Sequence, residues 1–335
     1  MMENKQKVCV CGGGNIGHSL VVAFGMHDDV NVLTRRPDAW SEHLLYQIAD
    51  GVCEKTRGRV VASSDASIIS ESTIVIIALP RFAIEEELVK LEPWLHAGQT
   101  LVFVPAPAGM EGIVERMANK GVEVIGFQRV PYVARIREYG KFVWMGTLRS
   151  VSKLAISNLD RKHYWKDFFE QSIGGEVSFL SSFLSFTFSN SNPLLHPARL
   201  VELLSNNEGY RKCPYFYAEW GDRASELYVS ADDEMRKVFE TYSHEAMMAD
   251  YESALVHYEV NDILDLSKKI RSIKSLHDIL APYCRANDGL WYPDFSSRYF
   301  TEDIPYGTQI IQQYAHKFGI ATPVIDMLIS KVYRV

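Results

Sequence analysis

Two hydrophobic rhythms divide this chain. In the first half the apolar residues come in short unbroken runs: VCVC just before residue 12, VNVLTRR at 30–36, STIVIIALP at 72–80 and TLVFVPAP at 100–107. Unbroken runs of this length are typical of parallel strands buried on both faces. VEVIGF, KFVWMGTL and EVSFLSS (176–182) read as further strands. Between the third and fourth runs, AIEEELVKLEPWL puts Ile84, Leu88 and Leu91 at helical spacing. Strands alternating with helices predict a Rossmann-like α/β domain over 1–182, built on a doubly wound parallel sheet. From about residue 183 the rhythm turns helical. Residues 232–258 contain no Gly or Pro, and Ser230 followed by Asp232, Asp233 and Glu234 reads as a helix start. GTQIIQQYAHKFGI stops at Gly319, and TPVIDMLISKVYRV carries Pro323 in its first turn. The second domain, 183–335, is expected to be all-α.

The turn after the first run carries the strongest chemical signal. Glycines stand at 12, 14 and 17, leaving a strand and entering a helix. Gly12 permits the tight turn, Gly14 lets a pyrophosphate approach the backbone, and Gly17 lets the helix pack close on the strand. Asn15 and Ile16 begin the helix, whose free N–H groups and dipole favour an anion. A nicotinamide dinucleotide is therefore the expected ligand. In NAD-binding folds an acidic residue usually ends the second strand and bonds the ribose 2′-hydroxyl. Here Thr34-Arg35-Arg36 stands instead, and arginine suits a 2′-phosphate. NADP(H) is expected over NAD(H), the alternative being that Arg35 and Arg36 are a solvated loop pair. Leu79, Pro80 and Arg81 should lie on the adenosine side, and Pro105 to Gly109 near the nicotinamide.

Bulk properties narrow the class. A length of 335 residues fits two domains. A net charge of −7 argues against nucleic acid as a partner. No apolar run approaches the ~20 residues of a bilayer span, and MMENKQK leads into the first strand without a signal-peptide core. The five cysteines are scattered; Cys9 and Cys11 share one strand face and read as buried thiols. A cytoplasmic protein is expected.

Candidate chemistry lies in the second half. In NSNPLLHPARL (190–200), Asn192 and His196 are four apart and share a helix face. Hydride reaching a carbonyl or imine carbon leaves its oxygen or nitrogen basic, and histidine is suited to supply the proton. The alternative is a structural histidine ahead of Pro197. At 298–303, Arg298 could clamp a carboxylate, and Glu302 or Asp303 could hold the His196 ring in one tautomer. The alternative is a surface ion pair. The aromatic stretch 209–228 suits either a pocket or a core. His244-Glu245 begins like a zinc motif, but Met248 replaces its second histidine, so no metal is expected. His18 is expected to be no more than a neighbour of the cofactor. His257, His277 and His316 fall on helical segments with no acidic or metal-like partner at fixed spacing and are expected to be structural.

Several motifs in order along the chain resemble the opine dehydrogenase family, of the octopine and nopaline type. They are the glycine fingerprint, Val130 to Arg135 with Gly140-Lys141, Asn192-Pro193 with His196-Pro197, and Phe216-Tyr217. Asp233-Glu234 with Arg236, Arg298, Glu302 to Gly307, and Thr322 to Asp326 complete the series. The resemblance implies an enzyme that couples the amino group of an amino acid to a 2-oxo acid, commonly pyruvate, and reduces the imine with NAD(P)H in the interdomain cleft. It implies His196 as general acid/base, Asp303 as its partner, Arg298 as the oxo-acid clamp and Asn192 as a supporting polar residue. The partners are then two small molecules, with a homodimer left open. One rival is a ketopantoate-type or 2-hydroxy acid reductase. Such enzymes place a lysine on the first helix of the second domain, and this chain has none between Gln171 and Arg211. The other rival is a non-catalytic NADP(H)-binding protein.

Overall fold

Every position of the strands β1 (Val8–Cys11), β6 (Ile74–Ile77) and β7 (Thr100–Phe103) is buried. The unbroken apolar runs thus form the centre of a sheet covered on both faces. The structure, a computed structural model, describes residues 6–242 and 250–333. The chain divides into two units, Met1–Phe183 and Leu184–Val335.

In the first unit the remaining elements follow in order. They are α1 (Asn15–Gly25), β2 (Val30–Leu33), β3 (Leu45–Ile48), β4 (Cys53–Lys55), β5 (Val60–Ser63) and α2 (Arg81–Leu91). After β7 come α3 (Glu111–Ala118), β8 (Glu123–Phe127), β9 (Tyr132–Glu138), β10 (Phe142–Leu148), β11 (Val151–Ile156), α4 (Lys162–Ser172) and β12 (Glu176–Phe179). The main sheet has eight strands in the order β12-β11-β8-β7-β6-β1-β2-β5. The chain winds outward from β1 in one direction through β2 and in the other through β6, so the order reverses at β1. That switch point is where an open α/β sheet binds its ligand. One pair departs from the all-parallel expectation: β11 runs antiparallel to β8. A second sheet, β4-β3-β10-β9, was not foreseen, and KFVWMGTL belongs to it rather than to the main sheet. It is closed by pairing β10 with β3, nearly a hundred residues away in sequence. Cys9 and Cys11 are buried free thiols.

The second unit contains α5 (Leu184–Phe188), α6 (Asn192–Leu203), α7 (Asp222–Tyr242), α8 (Ala254–His257), α9 (Ile263–Ser272) and α10 (Arg298–Thr301). A π-helical turn, Ile304–Thr308, runs into α11 (Gln309–Lys317), and α12 (Pro323–Tyr333) follows. The all-α expectation needs one correction, because β13 (Tyr283–Arg285) and β14 (Trp291–Pro293) form a small antiparallel pair. The helix expected at 232–258 also shifts. It begins at Asp222, so Ser230 is an exposed position inside it rather than a cap. Residues 243–249, including the His244-Glu245 motif, lie outside the described residues. The acidic residues read as a helix start have other roles. Asp232 accepts the Ala254 N–H, and the Glu234 carboxylate accepts the N–H groups of Val324 and Ile325, capping α12. Among the described residues no helix is long and apolar enough to cross a membrane.

Candidate active site

The carboxyl ends of β1, β2, β6 and β7 lie side by side, which aligns the loops that begin at Gly12, Thr34, Ala78 and Val104. Gly12 has φ +124°, and a Cβ there would come within 2.6 Å of the Ala78 carbonyl oxygen. A Cβ on Gly17 would lie 1.9 Å from the Gly12 carbonyl oxygen, so α1 packs against the turn as only glycine allows. A Cβ on Gly14 would meet nothing within 4 Å. Gly14 caps α1 with no side-chain hydrogen bond, leaving the first-turn N–H groups for a ligand. A narrow turn, an open face and free donors fit a pyrophosphate. Leu79 and Pro80 are half-buried at the exit of β6, and Pro80 caps α2. Pro105 is exposed after a cis peptide bond at the exit of β7.

The other fingerprint residues have partners within the protein. The Asn15 side-chain oxygen accepts the Ile136 N–H at 2.8 Å, and Ile16 is half-buried against the core. Thr34 is buried, its hydroxyl 3.0 Å from that of Tyr139. Arg35 and Arg36 are both exposed, and the Arg36 guanidinium lies 3.6 Å over the Tyr139 ring.

His18 is fully buried and more than a neighbour of the loop. Its Nδ1 lies 3.0 Å from the Gly14 carbonyl, which can only accept, and its Nε2 is 2.8 Å from the Gly140 N–H, which can only donate. Only the neutral ring with its proton on Nδ1 satisfies both. Burial, with a smaller contribution from the Arg36 charge, lowers the His18 pKa to about 4. An unfolded chain takes up this proton near pH 6.5. Between about 6.5 and 4 the unfolded state therefore binds a proton that the folded state does not. The His18 contribution to stability is expected to be complete above pH 6.5, to fall as pH drops to about 4 and to be level below. Its size is on the order of 3 kcal/mol. Unfolding free energies of wild type and His18→Asn across pH 3.5–7.5 test this: their difference should shrink through that window, and a flat difference would refute the assignment.

In the second unit, His196 and Asp303 come from segments 107 residues apart and meet at 2.7 Å, Nδ1 to Oδ2. His196 sits on the buried side of α6 and is 7% exposed. The π-helical turn holds Asp303 against it. The Thr308 hydroxyl donates to the Pro193 carbonyl, and a Cβ on Gly307 would lie 2.6 Å from Pro193 Cγ, so glycine allows this close approach. On the far side of the ring, Nε2 lies 2.9 Å from the Tyr217 hydroxyl. Burial first, then the neighbouring Tyr299, pushes the Tyr217 phenol well above its usual pKa, so it stays neutral. Arg199 anchors the strand of backbone that presents Tyr217, donating to the carbonyls of Phe216 (3.0 Å) and Tyr215 (3.2 Å) and pairing with Glu202.

Of the two acids the sequence left open, Asp303 takes the imidazole and Glu302 takes Arg298, at 2.5 Å. The Arg298 side chain is 78% exposed and makes no second ion pair among the described residues. Asn192 is the exposed first residue of α6, and no hydrogen bond joins its side chain to the dyad. The aromatic stretch 209–228 is mostly core: Phe216 and Trp220 are buried, Phe216 packs edge-on against the His196 ring at 5.6 Å, and Tyr217 reaches that ring with its hydroxyl. His257 lies 2.9 Å from Glu252, five residues earlier and off the i, i+3 and i, i+4 helical spacings. No spacing rule in the sequence marked Tyr139, between β9 and β10, as a neighbour of the glycine turn.

Residues 179–333 match the family model described as NAD/NADP octopine/nopaline dehydrogenase, alpha-helical domain. The chain is 28% identical to the octopine dehydrogenase of Pecten maximus, over 96% of this chain and 88% of that one. It is 24% identical to the tauropine dehydrogenase of Arabella iricolor, over 96% and 89%. A solved structure of octopine dehydrogenase with NADH and L-arginine superposes with a TM-score of 0.84 at 25% identity, covering 98% of this chain and 89% of that one. With its glycine cradle, its buried His–Asp dyad and relatives matched along nearly its whole length, the chain is similar to the opine dehydrogenase family of NAD(P)-dependent oxidoreductases, whose helical-domain model it matches over residues 179–333.

Proposed function

We propose that this enzyme reductively condenses a 2-oxo acid such as pyruvate with the amino group of an amino acid, acting on the CH–NH group of the product in reverse, and that it uses NADPH in preference to NADH. The observation that carries this reading is the buried dyad: a histidine held by a carboxylate on Nδ1, with Nε2 facing a neutral hydroxyl. Bound NAD(P)H supplies the hydride. Gly12, Gly14, Gly17 and the start of α1 hold its pyrophosphate, Arg36 serves its 2′-phosphate, and Leu79, Pro80 and Pro105 border it. Arg298 offers the guanidinium edge not engaged by Glu302 to the oxo-acid carboxylate. Asn192 assists as a polar group one helical turn from His196.

The proton chemistry follows from the geometry of the dyad. Asp303 fixes the Nδ1–H tautomer and stabilises the imidazolium, so the mobile proton resides on Nε2. Imine formation expels water and needs an acid; reduction leaves an amine nitrogen that takes up a proton. His196 serves both steps from the same nitrogen. We infer in the same way a cytoplasmic enzyme of two small-molecule substrates, compatible with a homodimer.

NADPH oxidation tests the reading directly. Pyruvate alone and amino acids alone are expected to give no turnover, and pyruvate with an amino acid such as arginine a clear rate. Equal turnover of an oxo acid without any amine would identify a simple keto-acid reductase instead.

A further inference from the structure

We propose that Tyr139, at the tip of the β9–β10 hairpin, positions Arg36 for the ribose 2′-phosphate and so sets the choice of NADPH over NADH; the inference rests on the dinucleotide reading above. The hairpin belongs to the four-stranded sheet, not to the sheet that carries the glycine turn. Three polar ties nevertheless fasten it to the elements beside that turn, α1 and the end of β2. Gly140 N–H donates to His18 Nε2 at 2.8 Å, Ile136 N–H to Asn15 at 2.8 Å, and the hydroxyls of Tyr139 and Thr34 lie 3.0 Å apart. Gly140, with φ +71°, permits the approach, since a Cβ there would be 2.2 Å from the Ala39 carbonyl oxygen. The Tyr139 hydroxyl also presses against the glycine loop: a Cβ on Gly13 would fall 2.2 Å from it. The ring is therefore fixed at both its backbone and its hydroxyl.

Arg36 lies on the face of this fixed ring, its guanidinium carbon 3.6 Å from the centroid. Among the described residues no carboxylate pairs with it. A free surface arginine spreads over many rotamers, and ordering it costs binding energy when a ligand arrives. Stacking removes much of that freedom beforehand. It also leaves the donors available, because all five guanidinium N–H groups point outward in the guanidinium plane while the ring contacts only its face. A phosphate can then take two parallel N–H bonds from the free edge. A neutral 2′-hydroxyl gains little from the same cation. The contact thus discriminates between the two cofactors at the end of β2, where the ribose is read.

Equilibrium titrations with NADPH, NADH and 2′,5′-ADP test this on wild type, Tyr139→Leu, Tyr139→Phe, Arg36→Lys, Arg36→Ala and the Tyr139→Leu/Arg36→Ala double variant, each checked for its thermal transition. Tyr139→Leu removes the aromatic face and is expected to weaken NADPH and 2′,5′-ADP by about threefold to tenfold while leaving NADH nearly unchanged. Tyr139→Phe keeps the face and should keep most of the preference. Arg36→Lys, a surface change that leaves the fold intact, keeps the charge but not the planar stack, and should lose the preference to a similar degree. In the Arg36→Ala background, Tyr139→Leu should have no further effect on selectivity. Equal weakening of NADPH and NADH by Tyr139→Leu, or undiminished preference in both Tyr139→Leu and Arg36→Lys, would overturn the proposal while leaving the cofactor reading in place. A wild type that does not prefer NADPH would overturn both.

Discussion

Replacing His196 with alanine is expected to lower kcat by about 10²–10⁴-fold, the range of a lost general acid/base, while the dissociation constant for NADPH stays close to wild type. The separation of the two effects follows from the layout: His196 lies on α6 in the second unit, whereas the glycine cradle belongs wholly to the first. The loss is not one of packing alone, because the dyad is polar and its removal leaves the Asp303 carboxylate and the Tyr217 hydroxyl without their shared partner. Asp303→Asn is the sharper comparison. An amide in place of the carboxylate can donate to Nδ1 and so favour the tautomer that carries its proton on the opposite nitrogen. It also removes the charge that stabilises the imidazolium. Its kcat should fall substantially with KM for the oxo acid little changed. Steady-state rates with pyruvate and amino acid, set beside NADPH titrations, decide the matter, and full activity in His196→Ala would remove histidine from the chemistry altogether.

Gly17→Ala should produce the largest loss of cofactor binding. The added methyl would sit 1.9 Å from the Gly12 carbonyl oxygen, a backbone atom that cannot rotate away. Relief requires α1 to lift from β1, and α1 is covered along nearly all of its length, with Gly17 through Gly25 buried. Overpacking of this sort costs roughly 1–3 kcal/mol or more, and the displaced helix no longer aims its first-turn N–H groups at a pyrophosphate. NADPH affinity is expected to fall by roughly tenfold to a hundredfold, with a lower Tm. Gly14→Ala is the control. Its methyl meets no protein atom within 4 Å, so the apo fold should melt normally, and any loss of affinity there would come from crowding the ligand. Wild-type affinity in Gly17→Ala would show that the cofactor does not use this turn.

Residues whose roles are local were legible in the sequence. The strand, the glycine turn and the helix of the fingerprint follow one another without interruption, so spacing alone described them. The helices ending at Gly319 and beginning at Pro323 were marked by their own punctuation. What stayed hidden depended on partners far along the chain. The three residues of β4 are all exposed and carry no apolar alternation, and β3 becomes a strand by pairing with β10. Asp232 and Glu234 looked like residues favouring a helix start, whereas each bonds backbone across the helical core. Asp303 and Glu302 were adjacent and equivalent as sequence; only the tight fit of the π-helical turn against Pro193 decides which one meets the imidazole. Tyr139 stood in a hairpin whose sheet was unseen, so nothing connected it to Arg36.

The span of the dyad has a consequence for the birth of the enzyme. His196 is separated from its carboxylate by 107 residues. At ~5–20 residues per second, translation needs roughly 5–20 s to add them. During that interval a nascent chain can already hold a complete dinucleotide fold, since every strand of the main sheet lies before residue 184. On the function proposed above, the emerging polypeptide would bind its coenzyme before the dyad exists, and that early ligand would stabilise the first half of the molecule while the second is being made.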